Sequence, residues 1–422
     1  MKPRSLIFLL AFIVTIGSVA TNLYIPALPA VRAYFGASVA QVQATFSVAL
    51  LTFALGMLFW GPFSDRYGRR HALVAGIGLM AAGSLVGLLA QSLFGLVVGR
   101  AVLAFGTATG ITVSRTIVSD LFPERMARVL AQLSIVAVIA SASAPVIGGA
   151  LTQWFGWRSV FAALIAMGVV VAWLSWRYLP ETRRPTKRPP DVREMTRVAR
   201  SLVVQPLYLS CVLQTAAAYS MFVVFISLAP YVMVTALGRP ATDYGLYYPL
   251  ISAGYMLGNW ALGRVTQRGQ HGTVVLGACL QMGAALAALL FVASGLRHPL
   301  WIYGPMAVLY FGQGLFMPHL TAIAVSLAPE RATGVGASTL GFLNQSASAL
   351  CVQLMGVVSD ESALPMLVFC AAAALVQLVV LRHSPRMEAP GRPVDASLHA
   401  IVPAPPVRSN PAVPDEPVHR SK

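Results

Sequence analysis

The sequence predicts an all-α polytopic membrane protein with twelve transmembrane helices, and three observations carry that prediction. Of its 422 residues, 57% are hydrophobic and 10% charged, whereas ordinary soluble domains run near 25% charged. Apolar stretches of about 20 residues, the length that crosses a ~30 Å hydrocarbon layer, recur along the chain. The basic residues, which give a net charge of +16, gather in alternate connections between those stretches.

The spans follow in order. The first, roughly 5–27, comes after Lys2 and Arg4 and passes Ser18-Val19-Ala20, the outline of a signal peptide. It is read as a retained helix, because cleavage there discards half of a segment that stays apolar to Leu28. The second and third, 41–63 and 71–91, are parted by Asp65-Arg66-Tyr67-Gly68-Arg69-Arg70; 96–118, 129–152 and 158–179 complete a first six. The longest internal polar stretch, 180–204, runs from Pro180-Glu181-Thr182 through Pro189-Pro190 to Arg200. A second six follows: 206–234, 243–263, 272–294, 299–327, 333–357 and 363–382. The predicted organisation is therefore a six-helix bundle over 1–179, a cytoplasmic linker over 180–204 and a second six-helix bundle over 205–382. Two such halves around a membrane-normal pseudo-twofold bind substrate between them. Residues 383–422 hold nine prolines in 40 positions and read as a disordered cytoplasmic tail.

Orientation follows from the positive-inside rule. With the N-terminus in the cytoplasm, 24 of the 30 basic residues fall inside and only Arg32, Arg158, Arg239 and Arg297 outside; Arg100 and Arg115 lie within the fourth span. Both termini are expected to be cytoplasmic. The charge is thereby explained without nucleic acid as a partner. The four cysteines sit in apolar runs without CxxC spacing, so no metal site or disulfide framework is expected. Phosphate loops, HExxH and GxSxG are absent from the sequence. Neither an enzyme nor a cofactor is expected, and with no fused ATPase transport has to be secondary.

Four passages resemble the major facilitator superfamily, in particular its twelve-helix drug:proton antiporters and, within them, the bicyclomycin-resistance (Bcr/CflA) group. Gly61-Pro62-Phe63-Ser64-Asp65-Arg66-Tyr67-Gly68-Arg69-Arg70 is similar to the superfamily signature between helices 2 and 3. Arg100 with Gly106, then Ser114-Arg115-Thr116-Ile117-Val118-Ser119-Asp120, resembles the helix 4 motif of the group. Ala144-Pro145-Val146-Ile147-Gly148-Gly149 resembles the helix 5 antiporter motif, with Ala140 and Ala144 where glycines are usual. Tyr24-Ile25-Pro26-Ala27-Leu28-Pro29 ends helix 1 as the group does. The resemblance implies a monomeric exporter of small organic molecules in the bacterial inner membrane, working by alternating access in exchange for protons. It also implies a gating charge cluster of Asp65, Arg66, Arg69 and Asp120, and a role in export for Pro145, Gly148 and Gly149.

Physical reading of the residues adds to this. Asp65 stands among arginines at a turn, where a carboxylate can pair with them and cap a neighbouring helix. Pro145 removes a backbone hydrogen bond, and Gly148 and Gly149 admit close helix approach. A charge inside the membrane costs about 2.5–3.5 kcal/mol on insertion scales, so Arg100 and Arg115 are candidates for a cavity wall, with snorkelling toward the interface as the alternative. Where many members of the group carry Asp in helix 1, this chain has Asn22, two residues before Tyr24. An amide does not take up or release a proton at physiological pH, and none of the fourteen acids falls mid-span. Asp120, Asp243 and His319 remain as titratable candidates, although a lone His beside Pro318 is more often structural. Tyr219, Tyr255, Gln313, Asn344 and Gln345 fall at similar depth in the second six and, with Phe222, suggest a polar-spotted aromatic cavity for amphipathic molecules. Interhelix hydrogen bonding accounts for each of them singly as well as ligand contact does.

Overall fold

The fold is seen in a computed structural model, which describes residues 3–122, 125–182, 192–265, 270–329, 333–359 and 362–386. Part of the predicted linker, 183–191, and nearly all of the predicted tail, from 387 on, lie outside the described residues. Within them the chain is helical throughout. The first crossing comprises α1 (Pro3–Tyr24) and α2 (Leu28–Phe35), joined by a 3-10 turn at Ile25–Ala27. Pro26 and Pro29 set that turn, since neither has an N–H to continue the α ladder. The segment thus reaches Phe35, eight residues past its predicted end at 27.

The next five helices are α3 (Val39–Tyr67), α4 (Arg69–Leu88), α5 (Leu93–Leu121), α6 (Met126–Phe155) and α7 (Arg158–Tyr178). Their ends follow local chemistry. Ser38 and Gln41 form a reciprocal capping box at the start of α3, and the Ser92 hydroxyl accepts the Gly95 N–H at the start of α5, each satisfying an otherwise unpaired donor. Part of the predicted linker is itself helical: α8 (Val192–Val203) sets Arg193, Arg197 and Arg200 on its exposed side and buries Leu202. Then come α9 (Pro206–Tyr231), continued by a π turn at Val232–Ala236, and α10 (Ala241–Val265), α11 (Gln270–Ala293), α12 (Leu300–Ser326), α13 (Thr333–Val358) and α14 (Leu364–His383).

Among the described residues, eleven segments are long and apolar enough to cross a membrane. The predicted eighth span, 243–263, is the departure. Its helix α10 has 25 residues, about 38 Å at 1.5 Å per residue, yet carries four tyrosines, Pro249 and Asn259. It packs against α6 and α12 with Tyr244 and Tyr248 buried, so much of its polar surface meets protein in place of lipid.

Helix contacts fall into two sets. Within the first, α4 lies on α5 and α7, α5 on α3 and α1, and α1 on α6; within the second, α12 lies on α10 and α11, α9 on α13, and α14 on α9 and α11. The sets meet along α3 with α13 and α6 with α10.

Candidate functional site

The turn between α3 and α4 is built around Gly68, whose φ of 96° is open to glycine far more readily than to other residues. The turn brings Asp65 within 2.7 Å and Asp120 within 3.1 Å of the Arg69 guanidinium. Arg69 also donates to the Ser64 hydroxyl at 2.6 Å, and Thr182 donates to Asp120 at 3.3 Å. Arg69 is buried while its two carboxylate partners remain open to solvent, so these are charge-assisted bonds partly screened by water. Two further groups complete the turn. Arg66 lies over the Tyr67 ring at 5.2 Å and does not join the ion pairs. The carboxylate capping the following helix belongs to Glu181, which accepts the Arg69 and Arg70 backbone N–H groups at 2.7 and 3.2 Å. Its negative charge meets the positive end of the α4 dipole. Asp65 is held instead by Arg69, four residues on.

Pro145, Gly148 and Gly149 are buried on α6. A methyl group at Gly148 would stand 2.1 Å from the Leu23 carbonyl oxygen of α1. On the other side, Gly245 of α10 presses against the backbone at Pro145 and Val146, where its own added carbon would meet Val146 Cα at 2.7 Å. Backbone-to-backbone approach of this kind needs small residues. Beside it, Asn22 donates to the Ser18 carbonyl at 2.9 Å and the Ser141 hydroxyl at 2.8 Å, and accepts from Tyr248 at 3.3 Å. Both amide protons and one oxygen lone pair are engaged, and these bonds tie α1 to α6 and α10.

Further ties join the two sets near the start of α3. Gln43 donates to the Ser227 carbonyl, Ser47 to Gln353, and Gln353 to the Ala40 carbonyl. Asp65 lies 22 residues further along the same helix, about 33 Å away. These polar bonds therefore sit at the end of the molecule opposite the Arg69 cluster.

Between the sets lies a cavity of about 480 Å³, lined by α1, α3, α5, α6, α9, α12 and α13, within the size range of small-molecule sites. Of the sequence-predicted residues, it brings together Asn22, Arg100, Tyr219, Phe222, Asn344 and Gln345. Asn344 is tied by Thr215, which donates to it at 3.1 Å; the Gln345 side-chain oxygen has no hydrogen-bond partner among the described residues. The remaining wall is mostly apolar. Phe46, Leu50, Phe53 and Met57 form one stripe of α3 at helical spacing. Sequence reading missed this stripe, because the same period marks any core-facing helix side.

Arg100 is 2% exposed, so it does not snorkel. Its guanidinium stands 4.1 Å from the Tyr24 ring centroid and 6.0 Å from that of Phe46. Cation–π contact returns about 0.5–2 kcal/mol, against an intramembrane insertion penalty of about 2.5–3.5 kcal/mol. Tyr24 lies behind the wall, its hydroxyl sharing a 3.0 Å hydrogen bond with Thr45. Arg115 is exposed, and Tyr255, Gln313 and His319 lie on α10 and α12 away from the cavity lining. Asp243 faces Arg239 at 3.3 Å. The acids with described side chains are Asp65, Asp120, Glu181 and Asp243, and none lines the cavity. No cluster of metal-ligating side chains occurs among the described residues.

Over residues 7–352 the chain matches the Major Facilitator Superfamily. It is 26% identical over 397 residues to Multidrug resistance protein D of Escherichia coli (strain K12), spanning 92% of this chain and 98% of that one. It is 28% identical over 386 residues to Multidrug resistance protein MdtL of Escherichia coli O9:H4 (strain HS), spanning 89% and 93%. Among solved structures, the D-xylose-proton symporter matches with a TM-score of 0.76 at 12% identity, covering 93% of this chain and all of that one. A bacterial homolog of the human lysosomal transporter Spinster, in an inward-facing and unoccupied conformation, matches with 0.72 at 16% identity and the same coverage. At these identities the likeness is one of fold.

Proposed function

Since the chain belongs to the Major Facilitator Superfamily and is a multi-pass membrane protein, we propose that it is a secondary active transporter. It exports small amphipathic organic compounds, drugs among them, across the bacterial inner membrane by alternating access, in exchange for protons. The observation that carries this reading is the mostly apolar cavity of about 480 Å³ between the two helix sets, with polar ties at one end and a charge cluster at the other. The relatives named for multidrug resistance support the substrate class. Within the superfamily we place it with the Bcr/CflA-type exporters, on the strength of the passages at 24–29 and 114–120.

The working unit in this reading is a monomer with both termini cytoplasmic, its halves being 1–179 and 205–382. The linker 180–204 and the tail from 383 lie on the cytoplasmic side. The polar ties then close the outer end, and the cavity serves an inward-facing state. When the outer end opens, the cluster of Asp65, Arg69 and Asp120 latches the inner end.

A second reading, facilitation without proton coupling, is favoured by one observation: no described acid lines the cavity, and Asn22 holds an amide where a proton carrier is expected. The coupled reading predicts a cellular result that simple equilibration of a neutral compound does not. In bacteria lacking their main efflux pumps, this chain lowers accumulation of some members of a dye and antibiotic panel. Its Asp65→Asn form, at equal membrane abundance, loses most of that effect. Accumulation unaltered by the chain across the whole panel would sink the export reading.

A further inference from the structure

The cavity wall carries one net charge, and it is positive. Among the described residues, no carboxylate, hydroxyl or carbonyl oxygen accepts a hydrogen bond from Arg100, and its Nε is sealed from the surface without a partner. The flanking rings of Tyr24 and Phe46 meet the guanidinium by their π faces. They do nothing for its edge, where five N–H donors lie in one plane.

No described neighbour supplies an acceptor to the guanidinium. Asn22 donates its two amide protons to Ser18 and Ser141 and accepts one bond from Tyr248. The hydroxyls of Thr21 and Thr107 donate back to the carbonyls of Gly17 and Ala104 in their own helices. A guanidinium stays charged at any physiological pH, so this edge cannot be relieved by losing a proton. What it lacks is an acceptor, and a planar carboxylate matches it by two parallel bonds.

We propose that Arg100 is the recognition point for a carboxylate on the transported molecule, whose apolar or aromatic body lies along Phe46, Phe53 and Phe222. The preferred cargo is an amphipathic organic anion; cations meet an uncompensated like charge. Tyr24 is a positioning residue in this scheme, holding the guanidinium by its ring while its hydroxyl is fixed by Thr45. The inference rests on the cavity being the transport site.

The test uses the full chain, purified in lipid nanodiscs, and three probes of one skeleton: 1-naphthylacetate, 1-naphthylacetamide and 2-(1-naphthyl)ethylammonium. The acid is expected to bind at least ten-fold more tightly than the amide, and the ammonium most weakly. Arg100→Gln erases the difference between acid and amide. Arg100→Lys, which keeps the charge and loses the planar fork, retains a reduced preference for the acid. A wild-type protein that binds acid and amide alike, or an Arg100→Gln form that still prefers the acid, overturns the proposal. In proteoliposomes, flux of the amide or ammonium without preference for the acid overturns it and leaves the transport reading standing. Failure of all three probes to bind or move overturns both.

Discussion

At Gly68 two constraints coincide: the backbone is at φ 96°, ψ 153°, and a methyl group there would lie 2.5 Å from the Glu181 carboxylate. Backbone in a glycine-favoured region costs other residues about 1–3 kcal/mol. Gly68→Ala is therefore expected to lower the unfolding free energy of the purified protein by about that amount, read as a fall in its thermal midpoint. Gly78→Ala, where an added carbon meets nothing within 4 Å, serves as the control and should not fall. Glu181→Gln keeps an acceptor for only one of the Arg69 and Arg70 amides and removes the charge from the helix terminus, so the loss should exceed that of the charge effect alone, about 0.3–1 kcal/mol. Loss by the control as large as at Gly68 would count against this account of the turn. The charges of this cluster are legible in sequence as a run of Asp and Arg, but their geometry is not. Glu181 reaches Arg69 across 112 residues, and the turning of Arg66 onto Tyr67 is a local choice between ring and carboxylate that spacing does not encode.

Helix positions were largely readable because lipid demands about 20 apolar residues per crossing; α10 shows where that signal weakens. A helix facing mostly protein need not be apolar all round, and α10 uses its tyrosines and Gly245 to meet α6 and α12. The contact at Gly245 and Pro145 was half-visible. The proline and glycines of α6 announced a close approach without naming its partner, since no periodicity in α6 identifies α10. Filling this seam should be felt across the halves. Gly245→Val forces a side chain into the α6 backbone, and overpacking of this kind costs about 1–3 kcal/mol. In the proposed alternating-access cycle the seam closes the outer end, so the change should also favour its opening, read as longer spin-label distances between the Gly148 end of α6 and the Gly245 end of α10. A distance distribution identical to wild type would show that the seam is not part of a gate.

For the whole molecule, the nature of the cargo bears on how the transporter is driven. A cavity whose wall is +1 and holds no described acid has a recognition group for an anion and no evident carrier for a proton. Export of a monoanion from a cell whose interior is electrically negative runs with the potential, by about 2.3 kcal/mol per 100 mV, which at about 1.4 kcal/mol per decade is on the order of a 50-fold gradient. An embedded carboxylate is then unnecessary, and Asn22 is free to serve as a tie between α1, α6 and α10. Proton exchange would instead require a titrating group facing each side in turn. The two schemes separate in proteoliposomes loaded with 1-naphthylacetate. A potassium diffusion potential, negative inside and at equal pH across the membrane, is expected to drive the acid out faster than at zero potential. A pH gradient, acid outside and at zero potential, tells the schemes apart: under proton exchange it speeds efflux beyond the passive leak of the protonated acid measured in protein-free vesicles, and under uncoupled facilitation it does not. Because exchange of a monoanion for a proton moves two charges, the potential speeds efflux in both schemes; acceleration by the pH gradient beyond that leak would assign the coupling to protons and direct attention to Asp120, Asp243 and His319.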